Sequence, residues 1–245
     1  MKKFVSLVIS LILMIAFSAL AIQKHASARN DEVKLKVFVH YPNPHGKPAA
    51  VSSCTPTTND QVADYGLAGW HMPTSGATYK INYSTKPSNL NNTQVYNAVS
   101  TSFVTWTTAD AKQIFQYGGA TTAQNAKYDG TNAILWKPIT RSAIAITYVW
   151  YYTSSGQLAE SDTVFNKIYK WSYTPYNGTN DCGGISGTYD LQNIGTHEFG
   201  HWIGLDDLYN TIDKDLTMYG YGEVAELKKD TLGQGDILGV NNIQP

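Results

Sequence analysis

The stretch Gly195-Thr196-His197-Glu198-Phe199-Gly200-His201-Trp202-Ile203-Gly204-Leu205-Asp206-Asp207 decides the fold. On a helix, His197 and His201 lie four residues apart and leave from one face, close enough for two imidazole nitrogens to reach one ion. Asp190 can cap that helix, with Asn193 in its first turn, and Leu191, Ile194, Trp202, Ile203 and Leu205 supply its apolar packing. Gly204 can adopt the left-handed conformation that ends the helix and brings Asp207 back toward the two imidazoles. Asp206 is a competing oxygen donor, but the turn at Gly204 selects the later residue and leaves Asp206 a supporting part. Two imidazoles and a carboxylate suit zinc with a fourth position open, and Glu198 then stands beside the ion, where a general base belongs. His-Glu-x-x-His alone arises by chance in about one chain of this size in a hundred. Adding the Gly three residues on and the Asp three beyond it lowers that to roughly one in tens of thousands.

Working outward, Thr174 to Gly187 is dense in Pro, Asn, Gly and Ser and reads as a surface loop. Before it, Asn132 to Trp136 and Ala143 to Tyr152 read as strands, and Leu158 to Phe165 as an edge strand or a functional loop carrying Glu160 and Asp162. Tyr79, Ile81 and Tyr83 alternate with Lys80 and Asn82, the pattern of a strand with one buried face. Asn91 and Gln94 form a capping pair for a helix whose stripe is Val95, Val99, Phe103 and Trp106, and Gly118-Gly119 closes that helical region. After the motif, a third helix starts near Thr231, with Gln234 three residues on and Ile237, Leu238 and Ile243 packing inward. This order predicts an α+β domain over residues 61–245, with its helices grouped beside one sheet.

Residues 29–60 hold one strand-like segment, Val33 to His40, and then a Pro-rich run, which reads as an extension or linker. Residues 1–28 have the form of a signal peptide: Lys2 and Lys3, an apolar run from Phe4 to Ile22, and Ala26-Ser27-Ala28 as cleavage site. The expected product is secreted, extracellular, without stable membrane association, and monomeric. Of the 18 basic residues three leave with the leader, so 15 face 19 acidic ones, a formal charge of −4. That balance excludes a nucleic-acid surface, and the pair Lys228-Lys229 reads as a solvated helix end or loop. The two cysteines, Cys54 and Cys182, form an even pair in an oxidising exterior and are expected to be bridged.

The motif resembles the zinc helix of the metzincin clan, and within it the matrixin-like secreted peptidases. Leu216-Thr217-Met218-Tyr219 resembles the clan's Met-turn, and Leu232-Gly233-Gln234-Gly235-Asp236-Ile237-Leu238-Gly239-Val240 its terminal helix. The resemblance is best over about 189 to 243. It implies a zincin-like α+β catalytic domain with a mixed twisted sheet and about three helices, His197, His201 and Asp207 as zinc ligands, Glu198 as base, Met218 as support beneath the metal, and protein or peptide substrates. Asp207 departs from the His usual in mammalian-type members, and the surroundings of Cys54 carry no cysteine-switch motif. The acidic strip Glu160 to Asp162 falls where the family has its substrate-side edge strand, with calcium as a second candidate ion nearby, and Tyr219 or Tyr221 as candidate helpers in catalysis. The alternatives are an inactive metzincin-like protein and a secreted surface- or carbohydrate-binding protein. Retention of Glu198 separates them, since a binding-only site has no need of it.

Overall fold

The computed structural model describes residues 31–43, 54, 56–178 and 181–243. The leader read over 1–28 lies outside these residues. From Val33 onward the chain forms one unit, with nine strands and three α-helices among the described residues. The strands are β1 (Val33–Pro42), β2 (Ala77–Ile81), β3 (Phe115–Ala120), β4 (Asn132–Lys137), β5 (Ala145–Tyr152), β6 (Leu158–Asn166), β7 (Trp171–Ser172), β8 (Tyr189–Asp190) and β9 (Tyr221–Gly222). The helices are α1 (Asn92–Ala109), α2 (Leu191–Ile203) and α3 (Gln234–Asn242).

Seven strands form a mixed sheet in the order β3-β2-β4-β6-β5-β1-β9. The pairs among β3, β2, β4 and β6 are parallel, whereas β5 runs antiparallel to both β6 and β1. The α+β class and the mixed sheet therefore stand as the sequence predicts. Helix α1 begins at the expected cap, with Asn91 and Gln94 each accepting the other's backbone N–H. Its stripe of Val95, Val99, Phe103 and Trp106 is buried, and Phe103 stacks on Phe199 of α2 at 3.9 Å between ring centroids. The Trp106 indole donates to the Thr196 carbonyl at 2.8 Å, so a polar bond inside the apolar contact sets the register of α1 on α2.

Several expectations need correction. Residues 29–60 are not merely an extension, because Val33–Pro42 pairs with β5 from Val33↔Tyr152 to His40↔Ala145. Leu158–Asn166 is an interior strand between β4 and β5, not an edge. Its acids tolerate burial because they accept backbone N–H groups: Glu160 from Asp129 and Gly130, Asp162 from Lys127 and Ala133. Gly118 and Gly119 lie within a strand that the sequence reading left out. Helix α3 starts at Gln234, three residues beyond Thr231. Lys228 and Lys229 are both buried rather than solvated. Lys229 Nζ donates to the carbonyl of Tyr219 at 2.8 Å and of Leu216 and Thr217 at 3.4 Å, and Lys228 pairs with Asp215 and Glu226.

Cys54 and Cys182 are joined in a disulfide with a Cα separation of 5.5 Å, which ties the start of the main chain body to the loop before α2. No helix among the described residues is long and apolar enough to cross a membrane.

Candidate metal centre

Helix α2 is buried at every one of its 13 positions, and both of its ends are fixed. Asp190 accepts from the backbone of Gln192 and Asn193 at its start. At its end Gly204 adopts φ 112°, the left-handed region, and its N–H bonds the carbonyls of Gly200 and His201. A side chain at Gly204 would place its Cβ 2.1 Å from the Trp70 carbonyl oxygen, so the turn requires glycine for space as well as for angle.

That frame brings His197, His201 and Asp207 together. His197 Nδ1 lies 2.8 Å from the Thr217 carbonyl and His201 Nδ1 2.9 Å from that of Leu205. A carbonyl only accepts, so each Nδ1 carries the proton and each Nε2 presents a lone pair. Both Nε2 atoms converge on Asp207 Oδ1, at 3.2 Å and 3.5 Å. None of these three buried atoms has a hydrogen-bond partner, and all lie within 4.8 Å of one another. Two imidazole lone pairs aimed at a carboxylate oxygen repel it unless a proton or a cation sits between them.

The electrostatics register the same demand for positive charge. Burial pushes Asp207 upward, but the imidazoles of His201 and His197 outweigh it and hold the carboxyl well below the usual range. Burial disfavours the His201 cation, yet the carboxylates of Asp207 and Glu198 outweigh that and raise it. His197, for which burial dominates, falls to about 4. A nitrogen, nitrogen, oxygen set with both imidazoles held by their far nitrogens fits zinc.

The chain matches no family model and no curated protein.

Glu198, beside His197 on α2, is also tied into a polar row. Its Oε2 accepts from Thr147 Oγ1 at 2.5 Å, Thr147 shares a bond with Thr163 at 2.8 Å, and the Trp202 indole donates to Thr163 at 3.0 Å. Its Oε1 lacks a hydrogen bond. Burial pushes this carboxyl up to about 7. Met218 lies against Gly200, between the two histidines, where a Cβ would fall 2.3 Å from the Met218 sulfur. Asp236 of α3 holds that turn, accepting from the backbone of Thr217 at 2.8 Å, Met218 at 3.0 Å and Gly233 at 2.9 Å.

The competing aspartate is placed elsewhere. Asp206 bonds Lys36 Nζ at 2.9 Å, while Asp207 Oδ2 accepts from the Tyr209 hydroxyl at 3.0 Å. Of the tyrosines, Tyr209 is thus the one bonded to the cluster. Tyr219 packs on Tyr221 and on Lys229. Glu160 and Asp162 face their backbone donors.

One residue at the centre escaped the sequence reading altogether. His40, at the far end of β1, is fully buried, its ring 3.8 Å from that of His197 and its Nδ1 3.3 Å from Glu198 Oε1. His40, His197 and Glu198 make a second group close enough to share an ion.

Proposed function

We propose that this chain is a secreted, zinc-dependent endopeptidase in which His197, His201 and Asp207 hold the ion and Glu198 is the general base. The observation that carries this reading is the convergence of three orphaned, buried ligand atoms one residue away from a buried carboxylate that has a free oxygen. A site that only stores or structures a metal gains nothing from such a carboxylate. Zinc, when bound, supplies the Lewis acidity that polarises a peptide carbonyl.

The chain's own groups account for the proton movements. Glu198 Oε2 is fixed by Thr147, which leaves Oε1 to accept a proton from the attacking water and return it to the leaving amine. The Thr217 and Leu205 carbonyls keep each imidazole in the tautomer that offers Nε2, and Tyr209 holds the second oxygen of Asp207. Strand β5 runs beside the centre with β6 on one side and β1 on the other, so a peptide can lie along it as an added strand only in the place that β1 takes.

Metal analysis combined with digestion of an unfolded protein tests the reading. About one zinc per chain is expected, with hydrolysis abolished by a chelator and recovered on adding zinc back. A metal-free preparation that hydrolyses at full rate overturns it.

A further inference from the structure

Strand β1 faces the centre in a way that hydrophobic burial does not explain. Along Val33-Lys34-Leu35-Lys36-Val37-Phe38-Val39-His40, the alternation sets Val33, Leu35, Val37 and Val39 on one face and Lys34, Lys36, Phe38 and His40 on the other. Burying the aliphatic face is the ordinary outcome, and a slip of one residue would achieve it. Over Leu35 to His40 the structure does the reverse: Leu35 is 50% and Val37 43% exposed and Val39 only half-buried, while Phe38 and His40 are buried.

From Lys36 onward this face reaches the candidate metal centre and its rim. Lys36 pairs with Asp206. Phe38 lies flat on His201, with 3.8 Å between centroids and 10° between planes, and is backed by Trp70. His40 lies on His197 and meets the free oxygen of Glu198. The strand does this while running antiparallel along β5, the edge a peptide would otherwise extend, and it pairs with β9 only at Tyr41 and Pro42. His197, Glu198 and His201 are left without exposed surface.

We propose that β1 is an inhibitory strand built into the chain, lying where an extended substrate would lie, and that His40 is its blocking group at the metal centre. The inference rests on the peptidase reading above. In this form the base and the face of the ion it serves are closed to a peptide, and hydrolysis is confined to the fraction of molecules in which β1 has lifted.

The test uses the full chain as wild type and as His40→Ala, with three readouts: zinc per chain, the rate at which a chelator strips that zinc, and hydrolysis of an unfolded protein. Both forms should hold about one zinc, and His40→Ala should lose it to the chelator and hydrolyse at least tenfold faster. A His40→Ala chain that keeps zinc but hydrolyses more slowly, or that loses zinc outright, makes His40 a working part of the site and overturns the inference, while wild-type hydrolysis leaves the peptidase reading standing. Faster stripping with no hydrolysis from either form supports the strand as a cover over the metal and sinks the peptidase reading instead. Should His40→Ala fail to fold, Phe38→Ala carries the same expectation from the neighbouring contact on His201, and unchanged stripping and hydrolysis in a folded Phe38→Ala chain overturn the inference.

Discussion

Helix α2 and strand β1 meet at the same side chains, His197, Glu198 and His201, yet they are held there by different means. The helix is buried along its whole length, capped at both ends, and locked to α1 by the Phe103–Phe199 stack and the Trp106–Thr196 bond. The strand leaves two aliphatic side chains in solvent, is paired on one side for most of its length, and owes its orientation to a lysine, a phenylalanine and a histidine. A framework held by many independent contacts keeps its geometry when one of them is removed. An element held by a backbone ladder to one neighbour and by a few side chains at a functional centre is loosened at that centre when one of its buried contacts is removed. The comparison thus separates the part of the molecule that makes the centre from the part that covers it, and substitutions on each side should behave differently.

The largest effects belong to the centre itself. Asp207→Ala removes one of three converging atoms, so zinc content and hydrolysis should fall together, with excess zinc restoring part of both. Glu198→Gln keeps size and the bond from Thr147 but cannot take a proton; zinc should stay while hydrolysis drops by about a hundredfold or more. Both are best measured alone and in the His40→Ala background, where the rate should be higher. A fully active Glu198→Gln chain refutes the mechanism. An Asp207→Ala chain with full zinc refutes the ligand set, and Asp206→Ala, expected to keep its zinc, is the matched control.

The framework behind the centre comes next. Asp236 satisfies two backbone N–H groups of the Met218 turn and that of Gly233 at the start of α3 from a buried position, and the same turn supplies the Thr217 carbonyl to His197. Asp236→Ala leaves these donors without partners and should cost about 3 kcal/mol of folding stability, each unsatisfied buried donor being worth roughly 1–3 kcal/mol and the three not adding fully. Denaturant unfolding of the zinc-loaded chain measures it. A loss under about 1 kcal/mol would mean that water replaces the carboxylate and that the turn is held by Lys229 instead.

The same division marks what was legible in the residues. Everything local to α2 could be read: the His197–His201 spacing, the Asp190 cap, the glycine stop at Gly204 and the return of Asp207, because each is set within a turn or two of chain. The α1 cap and stripe were legible for the same reason. Partners distant in sequence were not. Glu160 and Asp162 look like surface acids until the loop that offers them N–H groups is known, and Lys229 looks solvated until the three carbonyls around it are known. His40 was the costliest omission, since 157 positions separate it from His197 and nothing in its neighbourhood announces a site. The one available signal was the alternation in β1 that sets a histidine and a phenylalanine opposite four aliphatic residues. It becomes informative only once the aliphatic face is seen to be the exposed one.

The smallest expected effect sits at the rim of the cover. Lys36 and Asp206 form an ion pair at 2.9 Å, each side chain 38% exposed, and a pair so accessible to water contributes well under about 1 kcal/mol. Lys36→Ala should leave zinc content unchanged and speed chelator stripping by no more than about threefold, and the difference from wild type should shrink as salt is raised toward 1 M. Asp206→Ala should reproduce that change, and the double substitution should add little, because both break the same pair. The buried contact of His40 with Glu198 is not open to salt in this way, so the faster stripping of His40→Ala should persist at high ionic strength. If Lys36→Ala instead releases zinc as fast as His40→Ala does, and salt mimics it in the wild type, then surface charge rather than the inward histidine holds β1 in place, and the contrast between a rigid helix and a strand pinned at the metal centre has to be redrawn around Asp206.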